Sequence, residues 1–341
     1  LTVLHLLGAP GEGGAETYFL SLIEALKTTG EPQAAAIRPH PTRERALAAL
    51  GVPTRTLPFV PALNPITRLG VGAFAREVEA DILLAWMSRA AAAAPKGPWA
   101  RIGRLGGYYH MKYFKGLDLL VANTHDIVRH MVEGGWPADK ARYIPNFATP
   151  DDHPALDRAS LETPEGVPLL LGMGRLHSDK AHDVTLHALT KLPEAWLWIA
   201  GSGPLEGELK ALAGWLGVAE RVRFLGWRED AGALYRAADV VVFPSRVEPL
   251  GNVVIQAWAY GKPLVTAASV GPAALVRDQE DALLVAVDDG DALAAAIQRV
   301  LSDGGLARRL VETGSARAAG EFSQAAVVAE WQEVFAQYRP H

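Results

Sequence analysis

The stretch Leu169-Leu-Leu-Gly-Met-Gly174-Arg-Leu-His-Ser-Asp-Lys180 decides how this chain folds. It opens as a short apolar run, Leu169–Gly174, and passes through a glycine-containing turn. A helix-length amphipathic stretch, Asp183–Leu192, follows. Apolar run, turn and helix in that order read as one βα unit of a parallel sheet. The pattern continues downstream. Trp196–Ala200, Arg221–Leu225, Asp239–Pro244, Pro263–Ala267 and Ala282–Val287 read as strands, with helices at Leu205–Leu216, Ala231–Ala237 and Val253–Tyr260. Upstream, the strands are Thr2–Leu7, Gln33–Arg38, Thr54–Phe59, Asp81–Trp86, Arg101–Leu105, Leu117–Asn123 and Arg142–Ile144, with helices that include Ala15–Thr28 and Thr42–Leu50.

A chain of 341 residues exceeds what one hydrophobic core holds, which is roughly 250–300 residues. Two α/β domains are therefore expected. The first covers 1–150. A Pro- and Asp-rich linker, 151–168, leads to the second, 169–322. An amphipathic tail helix, Ala325–Tyr338, closes the chain in 323–341. Open parallel sheets bind ligands outside the carboxyl ends of their strands, so two such halves are expected to face a ligand cleft.

Composition narrows the function. The formal net charge of −5 offers no basic field for nucleic acid. No cysteine is present, which removes disulfides, thiolate metal sites and a cysteine nucleophile, and suits a reducing cytoplasm. No apolar run approaches the 18 to 20 or so residues of a membrane span. The opening Thr2–Leu7 reads as a buried strand rather than a signal peptide.

Three motifs carry chemistry. Gly8-Ala-Pro-Gly-Glu-Gly-Gly-Ala-Glu16 lies between the first strand and a helix, where glycines permit close backbone approach and a helix start suits a phosphate. Taken alone, a flexible first βα turn describes it as well. In Gly172–Lys180, Arg175 and Lys180 stand five apart across a turn at a strand's carboxyl end. There they can grip a diphosphate as a planar fork and a point charge, or remain two solvated cations. In Pro244-Ser-Arg-Val-Glu-Pro-Leu-Gly-Asn-Val-Val-Ile-Gln256, Glu248 falls in the loop after a strand. Gly251 and Asn252 then open a helix with Gln256 one turn in. Free amides there suit phosphate oxygens, and a carboxylate before them suits sugar hydroxyls.

Taken together, these motifs resemble glycosyltransferase family 4. They match its Gly-Gly-x-Glu start as Gly13-Gly14-Ala15-Glu16, its Gly-Arg-Leu…Lys-Gly segment as Gly174-Arg175-Leu176…Lys180-Ala181, and its Glu-x7-Glu segment as Glu248…Gln256. Ala200-Gly-Ser-Gly-Pro204 and Arg223-Phe-Leu-Gly-Trp227 extend the likeness over nearly the whole chain. It implies the GT-B fold, two Rossmann-like doubly wound parallel-sheet domains. It also implies retaining transfer of a hexose-type sugar from a nucleotide diphosphate donor, UDP before GDP, with no metal or other cofactor. The acceptor would be a hydroxyl of a glycan or lipid-linked glycan of the cell envelope.

The resemblance implies roles residue by residue. Arg175, Lys180, Glu248 and His110 serve the reaction. Gly13, Gly14, Gly174, Gly201, Gly203, Trp227, Arg228, Leu250, Gly251, Asn252, Val253 and Gln256 surround the donor. Three departures stand out: Gln256 replaces the second glutamate, Ala181 replaces the glycine after the lysine, and His110 stands where related enzymes often carry an acid. Asp289-Gly-Asp291 imitates a metal-binding Asp-x-Asp, but its place before the helix Ala292–Leu301 reads as an N-cap. The loop Tyr108–Lys115 mixes aromatic and basic residues. That suits either a lipid-linked acceptor or membrane surface, or packing on its own domain. A cytoplasmic protein, peripheral at the inner membrane face, is the corresponding location. A sugar-nucleotide epimerase or hydrolase, and a non-catalytic nucleotide-sugar binding protein, are the alternatives.

Overall fold

The computed structural model describes residues 1–11 and 13–338; Glu12 of the glycine-rich turn and residues 339–341 lie outside the described residues. The chain divides into two compact units, one spanning Leu1–Asn146 together with the segment from Gln324 onward, the other Phe147–Ser323.

In the first unit the strands are β1 Val3–Leu7, β2 Gln33–Ile37, β3 Thr54–Thr56, β4 Ile82–Trp86, β5 Ala100–Leu105, β6 Leu119–Ala122 and β7 Ala141–Tyr143. They form one parallel sheet in the order β3-β2-β1-β4-β5-β6-β7. The helices are α1 Gly14–Lys27, α2 Pro41–Ala49, α3 Asn64–Glu77, α4 Met87–Ala93 and α5 His125–Glu133. Strands β1, β2 and β4 are buried at every residue, which explains why they read as continuous apolar runs rather than alternating ones.

The second unit carries β8 Leu169–Met173, β9 Trp196–Ala200, β10 Val222–Gly226, β11 Val240–Phe243, β12 Leu264–Ala267 and β13 Leu283–Val285. Their order is β10-β9-β8-β11-β12-β13, again parallel. Its helices are α6 His182–Leu189, α7 Glu206–Trp215, α8 Ala231–Ala237, α9 Asn252–Ala259, α10 Val270–Leu275, α11 Gly290–Ser302 and α12 Gly304–Ala319. The last helix, α13 Gln324–Gln337, returns to the first unit and packs on α1.

One expectation needs correcting. The stretch 151–168 is not a free linker, because side chains fasten it to the second unit. Arg236 donates to Asp151 Oδ1 at 2.7 Å, Arg158 grips Ala237 O and Asp239, and Trp198 Nε1 donates to Thr163 Oγ1 at 2.8 Å. The passage between units falls at Asn146–Phe147.

In both sheets the chain builds strands outward in one direction, then returns to the middle and builds in the other. The reversal lies between β1 and β4 in the first unit and between β8 and β11 in the second. Such switch points leave a crevice outside the strand ends, where ligands of this architecture bind.

Candidate active site

The β8/β11 switch point collects the two motifs of the second half. The turn after β8 is fixed by the turn after β9. Gly174 N–H donates to Ala200 O at 3.0 Å, Leu176 N–H to Ser202 O at 3.0 Å, and Leu205 N–H to Leu176 O at 3.1 Å. This contact requires glycine. A Cβ on Gly201, whose φ is +148°, would stand 1.9 Å from Gly174 O, and one on Gly203 would stand 2.3 Å from Leu176 O. Gly174 itself has φ +142°, a region L side chains rarely adopt.

Beneath this turn lies His182 at the start of α6, buried, with Nε2 3.3 Å from Gly174 O. The carbonyl can only accept, so Nε2 carries the proton. Burial lowers the imidazole pKa to about 4 and keeps the ring neutral, outweighing the raising effect of the Gly174 carbonyl. Ala181, in place of the family's glycine, adopts left-handed φ +53° and is fully buried. Its strain of about 1–2 kcal/mol is offset in part by the buried methyl, about 0.8 kcal/mol. That balance accounts for the tolerance of alanine there.

Lys180 crosses to the other motif. Its Nζ donates to Glu248 Oε2 in the loop after β11 and lies 5.6 Å from the Phe243 ring centroid. The Lys180 and Glu248 side chains are only 18% and 13% exposed. Arg175 differs: it is exposed, and its guanidinium has no hydrogen bond or ion pair among the described residues. One cation is thus held in place while the other is free to meet a ligand.

The β11 loop is built around Gly251 and Gly271. Gly251, at φ +91°, is the cap residue of α9. Gly271 N–H donates to Glu248 O at 2.8 Å, and a Cβ on Gly271 would stand 2.6 Å from Pro249 C. Arg246 joins both loops. It donates to Ser178 O at 2.8 Å and forks onto Asp183 with bonds of 2.9 and 2.6 Å, while its Nε meets Asp288. Burial acts to raise the Asp183 pKa, but the Arg246 fork outweighs it and holds the carboxyl low. His182, Arg246 and Gly271 escape sequence reading, because their partners lie 8 to 68 residues away with no periodic signal.

The remaining expected donor residues fall around the same strand ends. Leu250 is buried, and Asn252 and Val253 form the first turn of α9. Gln256 Oε1 accepts from the hydroxyl of buried Tyr235 at 2.9 Å. Tyr235 stacks on Tyr260 with ring centroids 5.0 Å apart. Trp227, after β10, is 53% exposed, and Arg228 forks onto Asp230 at 2.8 and 2.6 Å. Asp289 caps α11, its Oδ1 accepting from Ala292 N–H at 2.8 Å.

In the first unit, Gly13 precedes α1 and Gly14 opens it. His110 is exposed, and its Nδ1 accepts from Lys112 N–H at 3.1 Å, capping the turn Met111–Phe114. The aromatic–basic loop divides. Met111 and Phe114 enter the core, while Tyr108 and Tyr113 stay 43% and 45% exposed.

Known proteins resemble this chain in sequence and fold. Residues 167–303 match the family model for glycosyl transferases group 1. The chain is 36% identical over 332 residues to the lipopolysaccharide core biosynthesis glycosyltransferase LpsE of Rhizobium meliloti (strain 1021), covering 95% of this chain and 96% of that one. LpsD of the same organism, with the same description, is 34% identical over 327 residues, covering 95% of each. The crystal structure of Anabaena Alr3699/HepE in complex with UDP-glucose superposes with a TM-score of 0.86 at 19% identity, over 98% of this chain and 99% of that one. The chain belongs to the group 1 glycosyltransferases and has their GT-B fold.

Proposed function

We propose that this glycosyltransferase transfers a hexose from a UDP-sugar, with retention at the anomeric carbon and without a metal, to a hydroxyl of a cell-envelope glycan. The observation that carries the proposal is the pairing of Lys180 with Glu248 beside Arg175, exposed and unpartnered among the described residues, at the β8/β11 switch point. The lipopolysaccharide-core names of the relatives and the UDP-glucose bound to the Anabaena protein support the donor and acceptor classes.

Transfer breaks the bond between the anomeric carbon and the diphosphate oxygen, and negative charge gathers on that oxygen. Arg175 and Lys180 stabilise it together with the first amides of α9. Glu248, oriented by Lys180, accepts hydrogen bonds from hydroxyls of the departing sugar. Trp227 and Arg228 lie beside the base, and Gln256 meets the ribose. For the first unit the proposed roles are diphosphate contact by Gly13 and Gly14 and sugar contact by His110. The acceptor hydroxyl attacks the same face of the sugar, and its proton passes to the leaving phosphate oxygen. No helix among the described residues is long and apolar enough to cross a membrane. The proposed location, the cytoplasm at the membrane's inner face, follows from the envelope-glycan acceptor.

Product analysis with UDP-hexoses and core oligosaccharide tests the reading. Glycosylated acceptor of retained configuration, formed in the presence of a chelator, is expected. Free sugar without acceptor product would identify a hydrolase or epimerase, and donor binding without turnover would identify a binding protein.

A further inference from the structure

The switch point of the first unit also carries charge that no role above uses. Arg89 stands near the start of α4, just past the end of β4. It is exposed, and its Nη1 donates to Gly8 O, just past the end of β1, at 2.8 Å. Arg104, next to last in β5, is 2% exposed. Its guanidinium donates to Leu105 O at 2.6 Å and to Asn146 Oδ1, and lies 5.6 Å from the Tyr18 ring and 5.9 Å from the Trp86 ring. Its Nε has no partner among the described residues. Neither arginine pairs with a carboxylate among those residues. Burial lowers the Arg104 pKa to about 10, against smaller raising effects from Tyr18 and Tyr143, which leaves it a cation at neutral pH.

A buried cation without a counter-ion is costly to the fold. Among the described residues no acid of this unit hydrogen-bonds to Arg104. Glu16 is folded over Gly13, 2.8 Å from where a Cβ there would stand; its charge reaches Tyr109, and the Tyr108 hydroxyl donates to Asp126, so the cations of this edge stand among two carboxylates that do not bond to them. Between Ile82 and Leu117 the sequence holds six Lys and Arg and no Asp or Glu. Residues 1–146 and 324–341 together carry 17 cationic against 14 acidic side chains, while 147–323 carry 16 against 24, so the positive balance belongs to this unit. The loop leaving β5 adds exposed Tyr108 and Tyr113, with Lys112 Nζ 5.0 Å from the Tyr113 ring centroid. Helix α4, which bears Arg89, packs against the turn Met111–Phe114 in that loop.

Aromatic faces cover pyranose rings, and cations answer anionic substituents. We infer that the carboxyl edge of β1, β4 and β5, with Arg89, Arg104 and the Tyr108–Tyr113 loop, binds an anionic saccharide bearing carboxylate or phosphate as the acceptor. The word acceptor rests on the proposed transferase reading; the anion site stands on the first unit alone.

Calorimetry on the full chain tests this with four probes: tri-galacturonate, its carboxyl-reduced neutral counterpart, glucose 6-phosphate, and vesicles of anionic phospholipid. At least one charged saccharide is expected to bind at least tenfold more tightly than the neutral trimer, and the two charged arms separate carboxylate from phosphate. Arg89→Ala, at an exposed position, should remove that preference and Arg89→Lys should restore part of it, with UDP binding unchanged in both. Equal binding of charged and neutral saccharides, a preference that survives Arg89→Ala, or vesicle binding with no saccharide preference would overturn the inference. Loss of UDP binding in the unaltered protein would instead sink the donor reading and leave the saccharide arms intact.

Discussion

Lys180 and Glu248 are 68 residues apart in sequence, yet their side chains form one ion pair across the loops of the neighbouring strands β8 and β11. Lys180→Ala removes a diphosphate ligand and leaves a mostly buried carboxylate without its partner. Losing a charged hydrogen bond costs about 1.5–3 kcal/mol, so kcat/KM should fall roughly 10- to 150-fold, with a lowered Tm. Steady-state kinetics together with thermal unfolding measure both. An unchanged kcat/KM would remove Lys180 from the site.

Arg175 should behave differently. Its guanidinium is exposed and unpartnered among the described residues, so Arg175→Ala is expected to shift stability by no more than about 0.5 kcal/mol. Transfer should still fall at least tenfold. A denaturant titration beside the rate assay separates the two effects. A large stability loss would show Arg175 to be structural.

Gln256 binds Tyr235 through its amide oxygen, which leaves one neutral lone pair on that oxygen and two N–H donors for a ribose. Gln256→Glu keeps the Tyr235 bond and adds a charged acceptor. UDP affinity should rise by about 1 kcal/mol, roughly fivefold. Calorimetric titration of the variant checks this, and weaker binding would show that the site is built for the amide.

Two buried histidines set an acid limit. His5 accepts from Trp86 Nε1 through Nδ1 and donates from Nε2 to Gln33, and burial lowers its pKa to about 4, as in His182. Each has a folded pKa below its unfolded value of 6.5, so the unfolded chain binds more protons below that pH. The stability tied to the neutral rings is whole above pH 6.5 and is lost as pH falls towards 4. At pH 5 the loss is roughly 2 kcal/mol per histidine. Urea unfolding at pH 7.5 and 5 should show it, and His182→Asn should show about half. A pH-independent midpoint would contradict the assignment.

Most of the fold was legible because fully buried parallel strands write themselves as short apolar runs between turns. Most strand boundaries moved by a residue or two, as at β6, expected over Leu117–Asn123 and found at Leu119–Ala122, while β3, expected over Thr54–Phe59, ends three residues early at Thr56. The stretch 151–168 was misread for a physical reason. Its anchors are single side chains such as Arg158 and Thr163, which bond to partners 35 to 81 residues away and leave no period in the sequence. The site shows the same division. Arg175, Lys180 and Glu248 stand in recognisable motifs. By contrast, the Arg246 fork to Asp183 exists only once β8 and β11 lie side by side, and the His182 bond to Gly174 O only once α6 folds back on the end of β8.

The most direct test of the central claim is calorimetric titration of UDP into the unaltered protein, Lys180→Ala, Arg175→Ala and the control Arg55→Ala, which lies in the other unit. One saturable site is predicted in the unaltered protein and in Arg55→Ala, weakened at least tenfold in each of the other two. UDP binding that is equal in all four proteins would contradict a diphosphate site at Arg175 and Lys180.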